Sequence, residues 1–252
     1  MTAFAPSVLL ITGAGRGIGA ATARLAAQRG WDVAVNYSRD AVAAEAVAAE
    51  VRALGRRAIT VAADVADEAA VLAMFSRIDA ELGRLAGLVN NAGIVAMKAR
   101  LDEMDLARWQ RLWAVNISGS LLCAREAVRR MSTRHGGAGG AIVNLSSVAA
   151  RLGAPHMYID YAVSKGAIDT FTTGLAQEVA AEGIRVNAVR PGIIATDIHA
   201  DSGDRGRPQS AARMIPMQRP GTADEVAAAI VWLLSTEASY TTGAILDVGG
   251  GR

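Results

Sequence analysis

The sequence predicts an α/β protein built on a doubly wound, mostly parallel β-sheet with helices on both faces. Three observations point there. Short apolar runs alternate with longer Ala-, Glu- and Arg-rich stretches from end to end. The first run, Val8–Ile11, leads directly into a glycine-rich loop, Thr12–Gly19, that opens a helix-forming stretch. No repeat, composition break or linker divides the chain, so residues 1–252 read as one domain.

The elements follow in order. Val8–Ile11 is a buried strand and Ala20–Arg29 a helix closed by Gly30. Val33–Tyr37 is the second strand, Asp40–Leu54 the second helix and Ala58–Ala62 the third strand. Asp67–Leu82 is a helix ended by Gly83, and Gly87–Asn90 the fourth strand. Asp102–Met131 is long enough for one helix or a broken pair. Gly136–Gly140 forms a loop that releases the fifth strand, Ala141–Leu145. A helix then runs to about Glu182, followed by the sixth strand, Arg185–Val189. Asp197–Gln209 is polar and aperiodic, which predicts a mobile lid over 197–215. Thr222 and Glu225 form a capping box for a helix to Leu234, and Ala244–Val248 is the last strand.

Composition excludes several functions. With 26 basic against 24 acidic residues the net charge is only +2, and no Lys/Arg run marks a nucleic-acid surface. Cys123 is the sole cysteine, so no internal disulfide or thiolate metal site forms, and three scattered histidines predict no metal centre. No apolar stretch reaches about 18 residues and the N-terminus lacks a charged leader. A cytoplasmic protein with no membrane or nucleic-acid partner is the expectation.

Two features carry chemistry. In the loop, Gly13, Gly17 and Gly19 follow a G-x-x-x-G-x-G spacing, and backbone approach at a helix N-terminus suits a pyrophosphate. A plain strand-to-helix turn is the bland alternative. In the stretch Ser147–Lys165, Tyr161 and Lys165 lie four apart, on one face of a helix. A phenol titrates ordinarily near about 10, and a fixed neighbouring cation favours its ionised form. A thousandfold gain in acidity would take about 4 kcal/mol, within reach of a close, partly desolvated charge.

With loop and Tyr–Lys pair together, the sequence resembles the short-chain dehydrogenase/reductases of the single-domain type, over essentially its whole length. Asp64-Val65, Asn90 to Gly93, Asn116, Ser147, and Pro191-Gly192 with Thr196 match that family in order. The resemblance implies a Rossmann-like fold and roles for these residues. Tyr161 would be the acid–base, Lys165 would lower its pKa and hold the nicotinamide ribose, and Ser147 would polarise the substrate oxygen. Asn116 would help a water connect Lys165 to solvent. Gly13, Gly17 and Gly19 would cradle the pyrophosphate, with Arg16 and Ile18 in the same cofactor-binding loop; Asp64 and Val65 would flank the adenine. Asn91, Ala92 and Gly93 would line the groove, with Pro191, Gly192, Ile194 and Thr196 meeting the carboxamide end. Ser147 and Tyr161 enclose one residue more than family members commonly have, which predicts a bulge within Gly153–Asp160 that reshapes the pocket rim. Ser146 and Tyr158 remain alternatives to Ser147 and Tyr161, although Tyr158 has Ala162 where a lysine would stand.

At the end of the second strand Tyr37 occupies the place of the acid that NAD-preferring relatives use. Ser38 and Arg39 follow, and Arg39 with Arg16 could pair a 2′-phosphate. NADP(H) is the expected cofactor, with NAD(H) use left open. Met97, Ala149, Arg151, Met157, Tyr158 and His199 are the pocket candidates. The family habit and the Ala-rich stretch Val163–Ala181 predict a homotetramer or homodimer. The leading function is reversible hydride transfer between nicotinamide and a carbonyl or secondary alcohol. The alternatives are a catalytically silent NADP-binding regulator or scaffold, and an epimerase or dehydratase with bound cofactor.

Overall fold

The computed structural model describes residues 7–196, 210 and 212–252. Seven strands form a single sheet in which every pairing is parallel: β1 (Ser7–Ile11), β2 (Trp31–Tyr37), β3 (Ala58–Ala62), β4 (Leu85–Asn90), β5 (Gly140–Leu145), β6 (Ile184–Pro191) and β7 (Ile245–Val248). Their spatial order is β3-β2-β1-β4-β5-β6-β7. The winding direction reverses between β1 and β4, which opens a crevice above the carboxyl ends of those two strands.

Period-two alternation sorts the core. Leu9 and Ile11 point to one face, where they meet α1 (Gly17–Gln28), α2 (Ala41–Ala53) and α8 (Ala223–Leu234) through Ala23, Val47 and Ile230. Val8 and Leu10 point to the other, against α3 (Glu68–Glu81), α5 (Gly119–Met131) and α7 (Ile159–Val179) through Phe75, Ala127 and Val179. The sheet is buried on both faces, which is why its strands read as continuous apolar runs.

Helix starts follow the caps. Asp40 accepts the Ala43 amide, Asp67 those of Ala69 and Ala70, and Thr222 with Glu225 forms the expected capping box. The stretch expected from Asp102 behaves differently. Leu101–Glu103 is an isolated 3₁₀ turn, and α4 (Leu106–Trp113) begins after Asp105, whose carboxylate accepts the Arg108 amide. The rod then widens into a π-helical turn, Ala114–Ser118, before continuing as α5, so it is neither one regular helix nor a separated pair.

Between β5 and α7, a short helix α6 (Ala149–Leu152) ends at Gly153 in the left-handed region, φ 72°. Ala154 and His156 follow at φ 45° and 59°, conformations that side-chain-bearing residues seldom adopt. Both lie within the Gly153–Asp160 stretch where a bulge is expected. Of the expected lid, Asp197–Gln209 lies outside the described residues. Its end, Ala212–Met214, is a 3₁₀ turn, and Ile215 is buried against Ile193.

Candidate active site

The loops after β1 and β4 are tied together first. The Thr12 hydroxyl accepts the amides of Asn91 (3.0 Å) and Ala92 (2.9 Å), while Asn91 Nδ2 donates to the carbonyls of Thr12 (2.8 Å) and Gly13 (3.0 Å). Asn36, buried at the end of β2, accepts the Gly13 amide at 3.1 Å and donates to the Val61 and Ala63 carbonyls. One amide side chain thus joins the ends of three strands. Its signal in the sequence was a polar residue in an apolar strand.

This scaffold explains the glycines. Gly13 and Gly17 have φ of 62° and 55°. A Cβ on Gly19 would sit 2.6 Å from Asn91 Nδ2 and 2.8 Å from the Gly13 carbonyl. A Cβ on Gly17 would meet nothing closer than Thr196, 3.5 Å away across the groove. Helix α1 opens here with no side-chain cap and no acid in its first turn, leaving its backbone N–H groups for a ligand. That bare, glycine-lined helix start fits a dinucleotide pyrophosphate.

At the far end of the groove, Ser38, Arg39 and Arg16 are exposed. Asp64 is held by Arg111 at 2.8 Å and accepts the Ala66 amide at 3.0 Å. Burial works to raise its pKa, but the Ala66 amide, Arg111 and the more distant Arg39 outweigh it and hold the carboxyl below its usual range. The buried Val65 packs against Gly119, where a Cβ would come within 2.6 Å of its methyl.

Beside this groove lies a cavity of about 510 Å³. One wall carries Ile18, Asn91 and Gly93; the other carries Pro191, Gly192, Ile194 and Thr196. Tyr161, Lys165 and Ser147 line it between them. The Ser147 side chain lies near enough to the Tyr161 phenol to lower its pKa, and its oxygen accepts the Ala149 amide at 3.1 Å. Ser146 instead donates to the Lys165 carbonyl at 3.2 Å, and Tyr158 packs edge-on against Tyr161, ring centroids 6.0 Å apart. All four of these side chains line the cavity, with Ser146 tied to the α7 backbone. Lys165 Nζ donates to the Leu145 carbonyl at 2.6 Å and lies 5.6 Å from the Tyr161 ring centroid.

The titration pattern corrects one expectation. Burial pushes the Tyr161 phenol up to about 12, with Ser147 pulling down and Tyr158 pushing up. Burial likewise lowers Lys165 to about 8, against a smaller opposing influence from Asp169. The ammonium bonds a backbone carbonyl beneath the ring, and loss of solvent dominates both groups. The fold alone does not acidify the tyrosine.

Asn116 sits in the π-helical turn, fully buried. Its Oδ1 accepts the Ile94 amide (2.8 Å), and its Nδ2 donates to the Ile94 carbonyl (3.0 Å) and to Ser164 Oγ (3.1 Å). A Cβ on Gly93 would lie 3.5 Å from Asn116 Oδ1 and 3.6 Å from Lys165 Nζ, so the three cluster, with Gly93 and Lys165 lining the cavity and Asn116 buried behind them.

Among the pocket candidates, Ala149, Met157 and Tyr158 line the cavity. Met97 is 61% exposed and does not. Arg151 is turned away, paired with Asp247 at 3.0 Å and donating to the Arg252 carbonyl, so it is committed to a structural contact. His199 lies outside the described residues. Among the described residues no group of three His, Cys, Asp or Glu side chains is gathered as for a metal, and no helix is long and apolar enough to cross a membrane.

Comparison with known proteins places the chain in a family. Residues 13–252 match the family model described as enoyl-(acyl carrier protein) reductase. The chain is 53% identical over 246 residues, 98% of its length and 100% of the relative's, to the uncharacterized oxidoreductase YgfF of Escherichia coli. It is 44% identical to cis-4-hydroxycyclohexanecarboxylate dehydrogenase of Sinomonas cyclohexanicum, covering 99% and 97% of the two chains. Among solved structures, a short-chain type dehydrogenase/reductase from Mycobacterium marinum superposes with a TM-score of 0.90 at 33% identity, covering 97% of this chain and 94% of that one. The chain belongs to the short-chain dehydrogenase/reductase family and is an oxidoreductase acting on CH–OH and C=O groups.

Proposed function

We propose that the protein transfers hydride reversibly between NADP(H) and a compact, mainly apolar ketone or secondary alcohol, with Tyr161 as acid–base. The observation that carries this reading is the meeting of the Ser147 hydroxyl, the Tyr161 phenol and the Lys165 ammonium in a cavity that opens onto the glycine-lined groove. When bound, the dinucleotide supplies or accepts the hydride. Gly13, Gly17 and Gly19 would hold its pyrophosphate beside Ile18, Asp64 and Val65 would flank its adenine, and Asn91, Ala92 and Gly93 would border the groove. Pro191, Gly192, Ile194 and Thr196 would seat the carboxamide.

In the reduction direction Tyr161 gives its proton to the substrate oxygen, which Ser147 orients by hydrogen bonding. In oxidation Tyr161 takes the hydroxyl proton. Lys165 carries positive charge beneath the ring and would also reach the ribose. Asn116 is held by Ile94 and Ser164, next to Lys165, where a water could link the lysine to solvent.

The NADP(H) preference rests on Arg39 and Arg16 flanking the end of β2 and on the commitments of nearby acids. Asp40 caps α2 and Asp64 pairs Arg111, so both nearby carboxylates already hold structural partners. The substrate class rests on the cavity's outer wall, where Val95, Leu152, Met157 and Met214 offer no polar group. A polyhydroxylated sugar would leave hydroxyls without partners there. Relatives whose names specify glucose or 3-oxoacyl-carrier-protein substrates are 38% identical, below the 44% of the hydroxycyclohexanecarboxylate enzyme. We further infer one integrated domain and a homotetramer or homodimer, since Leu121 on α5 and Val163 on α7 are exposed apolar residues.

The test is absorbance at the reduced-nicotinamide band with cyclic and linear ketones set against sugars. Tyr161→Phe should remove at least 99.9% of turnover while leaving the NADPH dissociation constant within about twofold. An active Tyr161→Phe enzyme refutes the assignment, and NADPH binding without turnover of any substrate favours the silent scaffold.

A further inference from the structure

Asp160 directly precedes Tyr161 in the first turn of α7, with its side chain 1% exposed. A buried carboxylate persists only if it is paired. Its partner is Arg108 of α4, through Nε to Oδ2 at 2.7 Å and Nη2 to Oδ1 at 3.2 Å. The third nitrogen, Nη1, donates to the Met97 carbonyl at 2.7 Å in the loop after β4. Asp160 Oδ1 also accepts the Tyr161 amide at 2.9 Å, and Trp113 Nε1 donates to the Asp160 carbonyl at 3.4 Å. A second strut lies alongside, from the Ala99 amide to the Met157 carbonyl at 2.9 Å.

One guanidinium therefore joins α4, the start of α7 and the loop after β4. Two of these flank the cavity, because Val95 and Met157 line it and the strained Gly153–His156 turn sits on the same rim. None of these contacts belongs to the dinucleotide groove. The planar fork fixes direction as well as distance, which a point charge would not do.

We propose that the Arg108–Asp160 pair is a positioning device for the reaction, holding the Tyr161 phenol in register with Ser147 and setting the spacing of the substrate side of the cavity. The proposal rests on the reading of Tyr161 as acid–base. Lengthening the chain between Ser147 and Tyr161 loosens the link between them, and the ion pair restores the lost constraint from α4.

The experiment compares Arg108→Lys, Arg108→Gln, Asp160→Asn and the double variant Arg108→Gln/Asp160→Asn with wild type and Tyr161→Phe. Turnover is scored per NADPH-binding site, titrated by nicotinamide fluorescence, so that unfolded protein is not counted. Arg108→Lys, which keeps the charge and the fold but not the fork, should lose about tenfold in kcat with the NADPH dissociation constant unchanged. Arg108→Gln should lose about a hundredfold, and the double variant should be no worse than Arg108→Gln. If kcat per site in Arg108→Lys and Asp160→Asn stays within twofold of wild type while Tyr161→Phe is dead, the pair serves stability alone and the proposal falls. If Tyr161→Phe is as active as wild type, the reading beneath it falls first.

Discussion

Lys165 offers a direct test of the electrostatics. It is one of only two lysines, the other being Lys98, and its side chain lies in a cavity wall with its ammonium on the Leu145 carbonyl. Burial moves it from the ordinary 10.5 to about 8. That difference corresponds to about 3 kcal/mol by which the fold disfavours the charged form. The sign follows from linkage. A base whose folded pKa lies below its unfolded one is penalised fully below the folded value, and the penalty fades as pH rises toward the unfolded value. The window therefore runs from about 8 to 10.5.

The assay is carbon NMR of the dinucleotide-free protein labelled at lysine Cε. Two resonances are expected, with Lys98→Arg identifying the second. The Lys165 signal should titrate near pH 8, and urea unfolding should show the same event. Stability of wild type relative to Lys165→Met should rise by about 2 kcal/mol between pH 8 and 9.5, since each pH unit inside the window is worth about 1.4 kcal/mol. Taking the difference between the two proteins cancels groups common to both. A Lys165 resonance titrating at 10 or above, or a flat difference, would refute the claim that desolvation governs this site.

Two further predictions concern the groove. Gly19→Ala should destabilise by about 1–3 kcal/mol in urea unfolding and weaken NADPH binding, because its methyl would press on the Gly13 carbonyl and the pinned Asn91 amide; a change under about 0.5 kcal/mol would mean that the loop yields freely. Arg39→Glu should lower the ratio of kcat/KM for NADPH over NADH by tenfold or more, about 1.4 kcal/mol of discrimination. An unchanged ratio, or a wild type at least as efficient with NADH, would remove Arg39 from cofactor selection.

The sheet was legible because both its signals are local. Buried parallel strands give apolar runs, and Asp40, Asp67 and Thr222 mark helix starts by their own capping chemistry. The Tyr161–Lys165 pair was legible for the same reason, as a spacing of one helical turn. What stayed hidden depends on contacts distant in sequence. Arg108 and Asp160 are 52 positions apart, and Arg111 and Asp64 are 47 apart, so each reads as an ordinary surface charge until the chain folds. Asp102 and Asp105 are equally good caps by type, and only the later one begins a helix. The extra residue before Tyr161 could be assigned to the Gly153–Asp160 loop but its backbone form could not, because left-handed conformations at Ala154 and His156 have no residue signature of their own.

The direction of the Tyr161 shift carries the most consequence for the proposed reaction. A phenol near 12 keeps its proton at neutral pH, so the dinucleotide-free site is poised as an acid. Among the groups acting on it, the Ser147 side chain is the one that lowers its pKa. In the proposed reaction Ser147 would therefore have two duties, orienting the substrate oxygen and stabilising the phenolate, and they would compete for one hydroxyl. Lys165, lowered by the same burial to about 8, loses charge just above neutrality. Any added positive charge in the cavity would lower both groups together. The fold thus supplies the geometry for acid–base exchange and leaves its poise to be set by what binds.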